Sequence, residues 1–325
     1  MPSFCRHGRF IQNCTICREP GSAGPNARTA PRAPRRSAGA KRSGGTRAAT
    51  TRSLRVRRDE RAADDGYRGE LVPGVRSSAD AQRLADELGF ATGRLAQLAA
   101  DPPGLYAEIA AHPDREQAAW LGFLLTYLCP LEAEDCFAGI RAATTSWAGG
   151  ELPDLATTPT GPRTSHGSGA GTATLTAYRA WAQRAGSQDA AFAGEPGWTP
   201  ERRFQRVYER LALPGLARTA RFDLLVVLGW LGLFELRAGT LGLAAAPDSD
   251  AVLIAAKRVF GIGDPLLLER RAATLAEQAG IPLGALDLAL WNWARPAVAG
   301  RATLGAVIAA IDPAAGERAA EALGL

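Results

Sequence analysis

The sequence predicts an all-α body behind a small metal-binding knuckle and an unfolded basic linker. Three observations predict it. From about residue 76 onward, apolar residues recur at helical spacing with few alternating β-branched runs. Residues 18–66 hold no aromatic residue and almost no large aliphatic one, so they cannot bury enough apolar surface to offset their ordering entropy. Three of the five cysteines and one of the three histidines fall within thirteen residues at the start of the chain. The domain organisation expected is a knuckle at 1–20, a disordered basic linker at 21–66 and a helical domain at 67–325.

The knuckle is Cys5, His7, Cys14 and Cys17, spaced C-x-H-x6-C-x-x-C. Two close pairs of soft or borderline ligands suit a structural, tetrahedral zinc ion: each short loop brings two donors to one side, and the spacer folds the second pair against the first. The alternative is an accidental cluster, against which stands the scarcity of cysteine elsewhere, two in the remaining 308 residues. Those two, Cys129 and Cys136, read as buried thiols of a reducing compartment. No run of eighteen apolar residues and no apolar secretory region is present, so the expectation is a cytoplasmic protein without membrane partners.

The linker acts as a tether with a reach on the order of 40 Å. Charge is polarised along the chain: residues 1–63 hold 15 Lys/Arg against 3 Asp/Glu, net +12, and residues 64–325 hold 23 against 30, net −7. A basic arm beside an acidic body is the footprint of salt-sensitive binding to a polyanion such as DNA, the alternative being an inert solvated linker. Arg6, Arg9 and Arg18 around the zinc ligands would make the knuckle a second grip on the same partner.

In the body, SSADAQRLADELGF reads as a helix with a serine cap and a glycine stop at Gly89. HPDREQAAWLGFLLTYLCP starts at a capping Asp114 and ends before Pro130. TPERRFQRVYERLALP has Thr199 as cap, Pro200 as first helical residue, and Phe204, Val207, Tyr208 and Leu211 on one face. Further helices are expected at 133–147, 172–185, 217–229, 250–259, 265–279 and 284–294, with weaker ones near the C-terminus. Residues 149–171, which include Arg163, Ser165 and His166, are too rich in Gly, Pro and Thr for a helix and read as a functional lid or a disordered insertion. Trp291 and Trp293 read as core.

Two junctions between amphipathic helices carry tight glycine turns. LALPGLARTARFDLL has Pro214-Gly215, with Ala217 where a second glycine would stand; AKRVFGIGDPLLLERRA has Gly261 and Gly263, with Asp264 as cap and Pro265 as first helical residue. Glycine lets such a turn bring backbone amides against a phosphate at a helix N-terminus. Gly215, Arg218, Gly261, Gly263 and Asp264 are therefore the candidate DNA contacts, the alternative being ordinary corners between helices. Lys257, one of two lysines in the chain, is either a phosphate-contacting charge or a solvated side chain.

Read in succession with LALWNWA, these segments resemble the helix-hairpin-helix DNA glycosylase superfamily over about residues 77–295, and more narrowly the α-glutamyl/putrescinyl thymine pyrophosphorylase families. The resemblance implies a helix-hairpin-helix glycosylase-like bundle that takes a base flipped from DNA. It implies displacement of pyrophosphate from a pyrophosphorylated 5-hydroxymethyluracil-type base by an amine. The superfamily's carboxylate some twenty residues past the hairpin falls nearest Glu235, a glutamate where aspartate is usual. Its lysine slot is Thr219, which does not support lyase chemistry through a Schiff base. Glu235 as base, with Arg237 and Lys257 against the departing pyrophosphate, are the candidate catalytic residues. The other readings are a DNA glycosylase, a non-catalytic DNA-binding module and a helical interaction scaffold; Glu235 in a structural salt bridge is the bland alternative for that residue.

Overall fold

The computed structural model describes residues 62–129, 137–167, 171–295 and 312–325. The chain divides into two units, Met1–Val56 and Arg57–Leu325, and every described residue belongs to the second. Cys5, His7, Cys14, Cys17, Cys136 and most of the expected linker lie outside the described residues. Among the described residues there are twelve α-helices, a 3-10 turn at Leu243–Ala245 and no strand, as the helical periodicity predicts. None of those helices is long and apolar enough to cross a membrane.

α1 spans Ser78–Ala100 and runs eleven residues past the expected stop at Gly89. Gly89 is a crossing point: a Cβ there would stand 2.9 Å from the Cα of Gly316 and 3.0 Å from the carbonyl oxygen of Asp312, on α12 (Pro313–Leu323) and at its cap. The glycine serves close packing between helices and does not break one. Asp65, read as part of the linker, accepts from the amide and the hydroxyl of Ser78 and so caps α1 from outside it.

α2 (Leu105–Ala111) and α6 (Gln188–Ala193) are short helices the periodicity does not announce, since seven or six residues show too few repeats. α3 (Arg115–Leu128) and α7 (Pro200–Arg210) begin as expected, with Asp114 accepting from the Glu116 amide and Thr199 from the Arg202 amide. α4 is only Ala138–Ala143, shorter than the helix expected at 133–147. Thr144 and Thr145 end it by giving their hydroxyls to the carbonyls of Ile140 and Glu151, bonds that compete with the helical ladder. The remaining helices are α5 (Gly171–Arg184), α8 (Arg218–Trp230), α9 (Ala251–Phe260), α10 (Pro265–Gln278) and α11 (Leu283–Trp293), all within a residue or two of expectation.

Two groups of helices share α8. On one side α3 packs against α2, α6 and α8; on the other α1 lies along α11 and α12, and α9 and α10 pack on α11. The first group is cemented by an aromatic cluster in which the ring of Tyr178 lies 3.8 Å from that of Phe123, and the rings of Trp120 and Tyr127 run near-parallel to Phe123 at 5.5 Å. Burying each such ring contributes on the order of 2–3 kcal/mol. Trp291 and Trp293 are buried, as expected, and the Trp293 indole donates to the Asp80 carbonyl at 2.9 Å.

Candidate active site

The loop at 149–167 is ordered by the end of α3. The last turn of a helix leaves carbonyls without intrahelical partners, and here the amide of Ser165 and the hydroxyl of Thr164 donate to the Tyr127 carbonyl at 3.0 and 2.9 Å. The amide of Gly161 donates to that of Leu128. Pinned in this way, the loop inserts Arg163 into the core, where its side chain has no exposed surface.

Arg163 is the first member of a buried ion network. Its guanidinium donates to both carboxylate oxygens of Asp223 on α8, and at 2.8 Å to Asp287 on α11. The second oxygen of Asp287 accepts from Arg218, in the first turn of α8, at 2.7 Å. Arg218 continues to Asp250 at 2.9 Å and to the carbonyl of Leu241, which brings the chain back from the far end of α8 to its start. Asp250 is also the N-cap of α9, accepting from the amides of Val252 and Leu253. One chain of charges thus ties the loop, α8, α9 and α11 together.

Burial raises the Asp223 carboxyl above the ordinary carboxylate value, more than Arg163 lowers it. Burial acts the same way on Asp287, but there Arg218 and Arg163 together outweigh it and hold the carboxyl below its ordinary value. Burial works against the charge of both arginines too, yet Asp223 and Asp287 keep Arg163, and Asp287 and Asp250 keep Arg218, firmly protonated. Cys129, behind the network, is buried as expected and its thiol is pushed up to about 12 by burial and by Asp223. Burial and paired charges displace titrating groups in this way both in structural ion networks and at functional sites.

The network opens on a cleft of about 400 Å³ lined by Arg163, Arg218, Thr219, Arg221, Asp250 and Trp291, among others. The cleft lies at the start of α8, beside the first glycine turn. There Gly215 is exposed at φ +73°, and the Ala217 amide is taken by the hydroxyl of Ser165 at 2.6 Å. In the second turn Gly261 ends α9 at φ +66°, Gly263 is exposed with open space around it, and Asp264 caps α10 by accepting from the Leu267 amide. The back of that turn rests on Gly74, whose amide donates to the Val259 carbonyl at 2.9 Å.

The residues singled out from sequence do not converge. Glu235 and Arg237 follow the other end of α8, about 20 Å from the first turn at 1.5 Å per residue. They line a larger apolar cleft of about 670 Å³ with Trp230, Phe234, Leu283 and others. Glu235 accepts from Arg203 at 2.9 Å, the salt bridge weighed as its bland alternative, and Arg237 pairs with Glu201 at 3.3 Å. Lys257 pairs with Asp248 at 3.2 Å and lines neither cleft. Arg218, expected to meet DNA, has an enclosed guanidinium bonded to Asp250, Asp287 and the Leu241 carbonyl. His166 sits against Tyr127, its ring nitrogen 3.3 Å from the phenol oxygen.

Asp223, Asp250 and Asp287 were missed, although the sequence carries a signal for two of them. RFDLLVVL and LGALDLALWNW each place one aspartate inside an apolar helix, and a carboxylate there must be paired. Among the described residues no group of three or more His, Cys, Asp or Glu is placed to hold a metal ion. No curated protein and no solved structure matches the chain. A family model does match, over residues 163–298, a shorter span than the 77–295 of the resemblance; it opens at Arg163, takes in the whole network and both glycine turns, and is described as alpha-glutamyl/putrescinyl thymine pyrophosphorylase clade 3.

Proposed function

We propose that this protein modifies a thymine-derived base in DNA by exchanging a pyrophosphate for an amine, and that the exchange takes place in the cleft at the start of α8. One observation carries the reading: a carboxylate, Asp250, and a guanidinium, Arg218, stand 2.9 Å apart in a cleft that opens beside an exposed glycine turn. The family match over 163–298 supports it. An exposed turn of this kind grips a sugar-phosphate strand through backbone amides, and a base extruded from that strand enters the neighbouring cleft.

The reaction makes one bond and breaks one. The amine nitrogen attacks the exocyclic carbon of a pyrophosphorylated 5-hydroxymethyluracil-type base. The C–O bond to pyrophosphate breaks with its electron pair on oxygen, and the proton released from nitrogen passes to a carboxylate or to the departing anion. The main electrostatic demand is the leaving group's charge, which guanidinium groups meet. Asp250, held by two helix amides and Arg218, supplies a fixed negative charge toward the nitrogen of the incoming amine as it becomes positive in the attack.

The basic N-terminal segment serves this reading as a salt-sensitive arm, with Cys5, His7, Cys14 and Cys17 holding a structural zinc ion. A closed set of three thiolates and one imidazole leaves no open coordination position, so the metal takes no part in the exchange. The test is to incubate the protein with duplex DNA carrying 5-hydroxymethyluracil or its pyrophosphate ester, with and without amines, and analyse nucleosides by mass. An amine-substituted thymidine is the expected product. Abasic sites in its place would turn the reading to a glycosylase, and an unchanged nucleoside pool to a DNA-binding module.

A further inference from the structure

The larger cleft, about 670 Å³ at the far end of α8, takes no part in the proposed reaction. Its volume falls within the roughly 300–1,000 Å³ of small-molecule sites. Trp230, the last residue of α8, lines it and stays partly exposed. The other six tryptophans each have an aromatic side chain or a guanidinium against their own ring. Among the described residues Trp230 has neither. Val226, Phe234 and Leu283 add apolar surface around it. A space of this kind suits a flat apolar group that stacks on the free indole.

The charges beside the cleft narrow the choice. Leu236 is buried between exposed Glu235 and Arg237, an alternation that turns both charged side chains outward. The segment is fixed in place: the Leu236 carbonyl lies against Gly229, where any Cβ would collide with it. Arg203 donates to the Glu235 carbonyl at 3.0 Å, and the Arg237 amide donates to the Pro200 carbonyl at 3.3 Å. Neither charged group is used up by its ion pair. Arg203 takes one carboxylate oxygen of Glu235, and Glu201 meets one nitrogen of Arg237 in a pair exposed on both sides and therefore weak. The two side chains are 79 and 72% exposed. A ligand with only a negative group meets repulsion from Glu235, and one with only a positive group meets it from Arg237. A zwitterion satisfies both.

We infer that this cleft binds a free aromatic α-amino acid, with its ring on Trp230, its ammonium at Glu235 and its carboxylate at Arg237. Guanidinium and carboxylate form charge-assisted hydrogen bonds, which fix the end of the ligand that the apolar walls do not. The site is separate from the cleft at the start of α8, and the inference does not depend on the reaction placed there.

Calorimetric titration of the full-length protein tests it with four probes. L-Phenylalanine carries all three features; 3-phenylpropionate lacks the ammonium, 2-phenylethylamine the carboxylate and L-alanine the ring. L-Phenylalanine is expected to bind at least about tenfold more tightly than each of the other three. Glu235→Gln should lower the affinity for phenylalanine and phenylethylamine by about tenfold and leave that for phenylpropionate unchanged. Arg237→Gln should lower it for phenylalanine and phenylpropionate and leave phenylethylamine unchanged. That crossed pattern is one a general loss of structure does not produce. Equal affinity for L-alanine or 3-phenylpropionate, an equal loss for all three phenyl ligands in either variant, or no binding of L-phenylalanine at about 10 mM would each overturn the inference. Binding is read without DNA, so failure of the amine exchange leaves this inference standing, and absence of phenylalanine binding leaves the proposed reaction standing.

Discussion

Asp287 accepts from Arg163 at 2.8 Å across 124 positions of sequence, both side chains fully enclosed. The contact closes a loop that follows α4 onto a helix near the end of the domain, and it is the middle of a chain of five charges. Removing one partner of a buried pair leaves the other charged and unsolvated. Asp287→Ala is therefore expected to cost about 3–5 kcal/mol, read as a lowered denaturant midpoint in equilibrium unfolding, and Asp287→Asn less, since the amide still accepts from one arginine. A cost under about 1 kcal/mol for the alanine variant would mean the network is not enclosed in solution.

Cys129 gives a pH signature of its own. Its folded pKa of about 12 lies above the ordinary thiol value of 9.0, so the stability tied to this proton is complete below pH 9 and is lost as pH rises toward 12. Over that window the loss is on the order of 4 kcal/mol. Cys129→Gly suits the left-handed backbone there, φ 44°, and should flatten the alkaline slope of the unfolding free energy while keeping the end of α3. In the native protein at pH 9 the Cys129 peptide should resist alkylation, as peptide mass mapping would record.

Gly89 and Gly316 allow α1 and α12 to cross at backbone distance. Gly89→Ala places a methyl 2.9 Å from the Gly316 Cα, and overpacking of that kind costs about 1–3 kcal/mol. Faster amide hydrogen exchange confined to 313–323, with α3 unaffected, is the expected pattern.

The two clefts make opposite forecasts for catalysis. Asp250→Asn keeps a capping side chain at α9 but removes the charge in the cleft at the start of α8, and is expected to reduce amine exchange by about 100-fold or more. Glu235→Gln, about 20 Å away at the other end of α8, should change it by less than about threefold. Reversal of the two outcomes, measured as product formed on modified duplex, would move the reaction to the larger cleft.

The C-x-H-x6-C-x-x-C spacing forecasts a zinc ion bound by the N-terminal knuckle. Native mass spectrometry should find it lost in Cys14→Ser and after chelation. DNA affinity of the chelated protein should fall while the melting transition of the helical body stays in place, because the knuckle and that body are separate units.

Helix type and most helix positions were legible in the sequence because they rest on local physics. Asp114, Thr199 and Asp264 cap the helices they precede, and the spacing of Phe204, Val207 and Tyr208 turns one face of α7 inward, whatever else the chain does. Both glycine turns were legible for the same reason, since Gly215 and Gly261 adopt the positive φ that glycine permits. Gly89 misled because a glycine needed for close packing and a glycine that ends a helix look alike in one dimension. The buried network was decided elsewhere. Spacing alone does not show that the chain returns along α8 before it reaches Asp250, and only folding brings that carboxylate back to the start of the helix. Arg163 sat in a segment that composition marks as a lid or a disordered insertion, and the unsatisfied carbonyls at the end of α3 drew it inward. Local rules govern what a residue does to its neighbours in sequence; the pairing of buried charges depends on which distant surfaces exclude water together, and that is a property of the assembled fold.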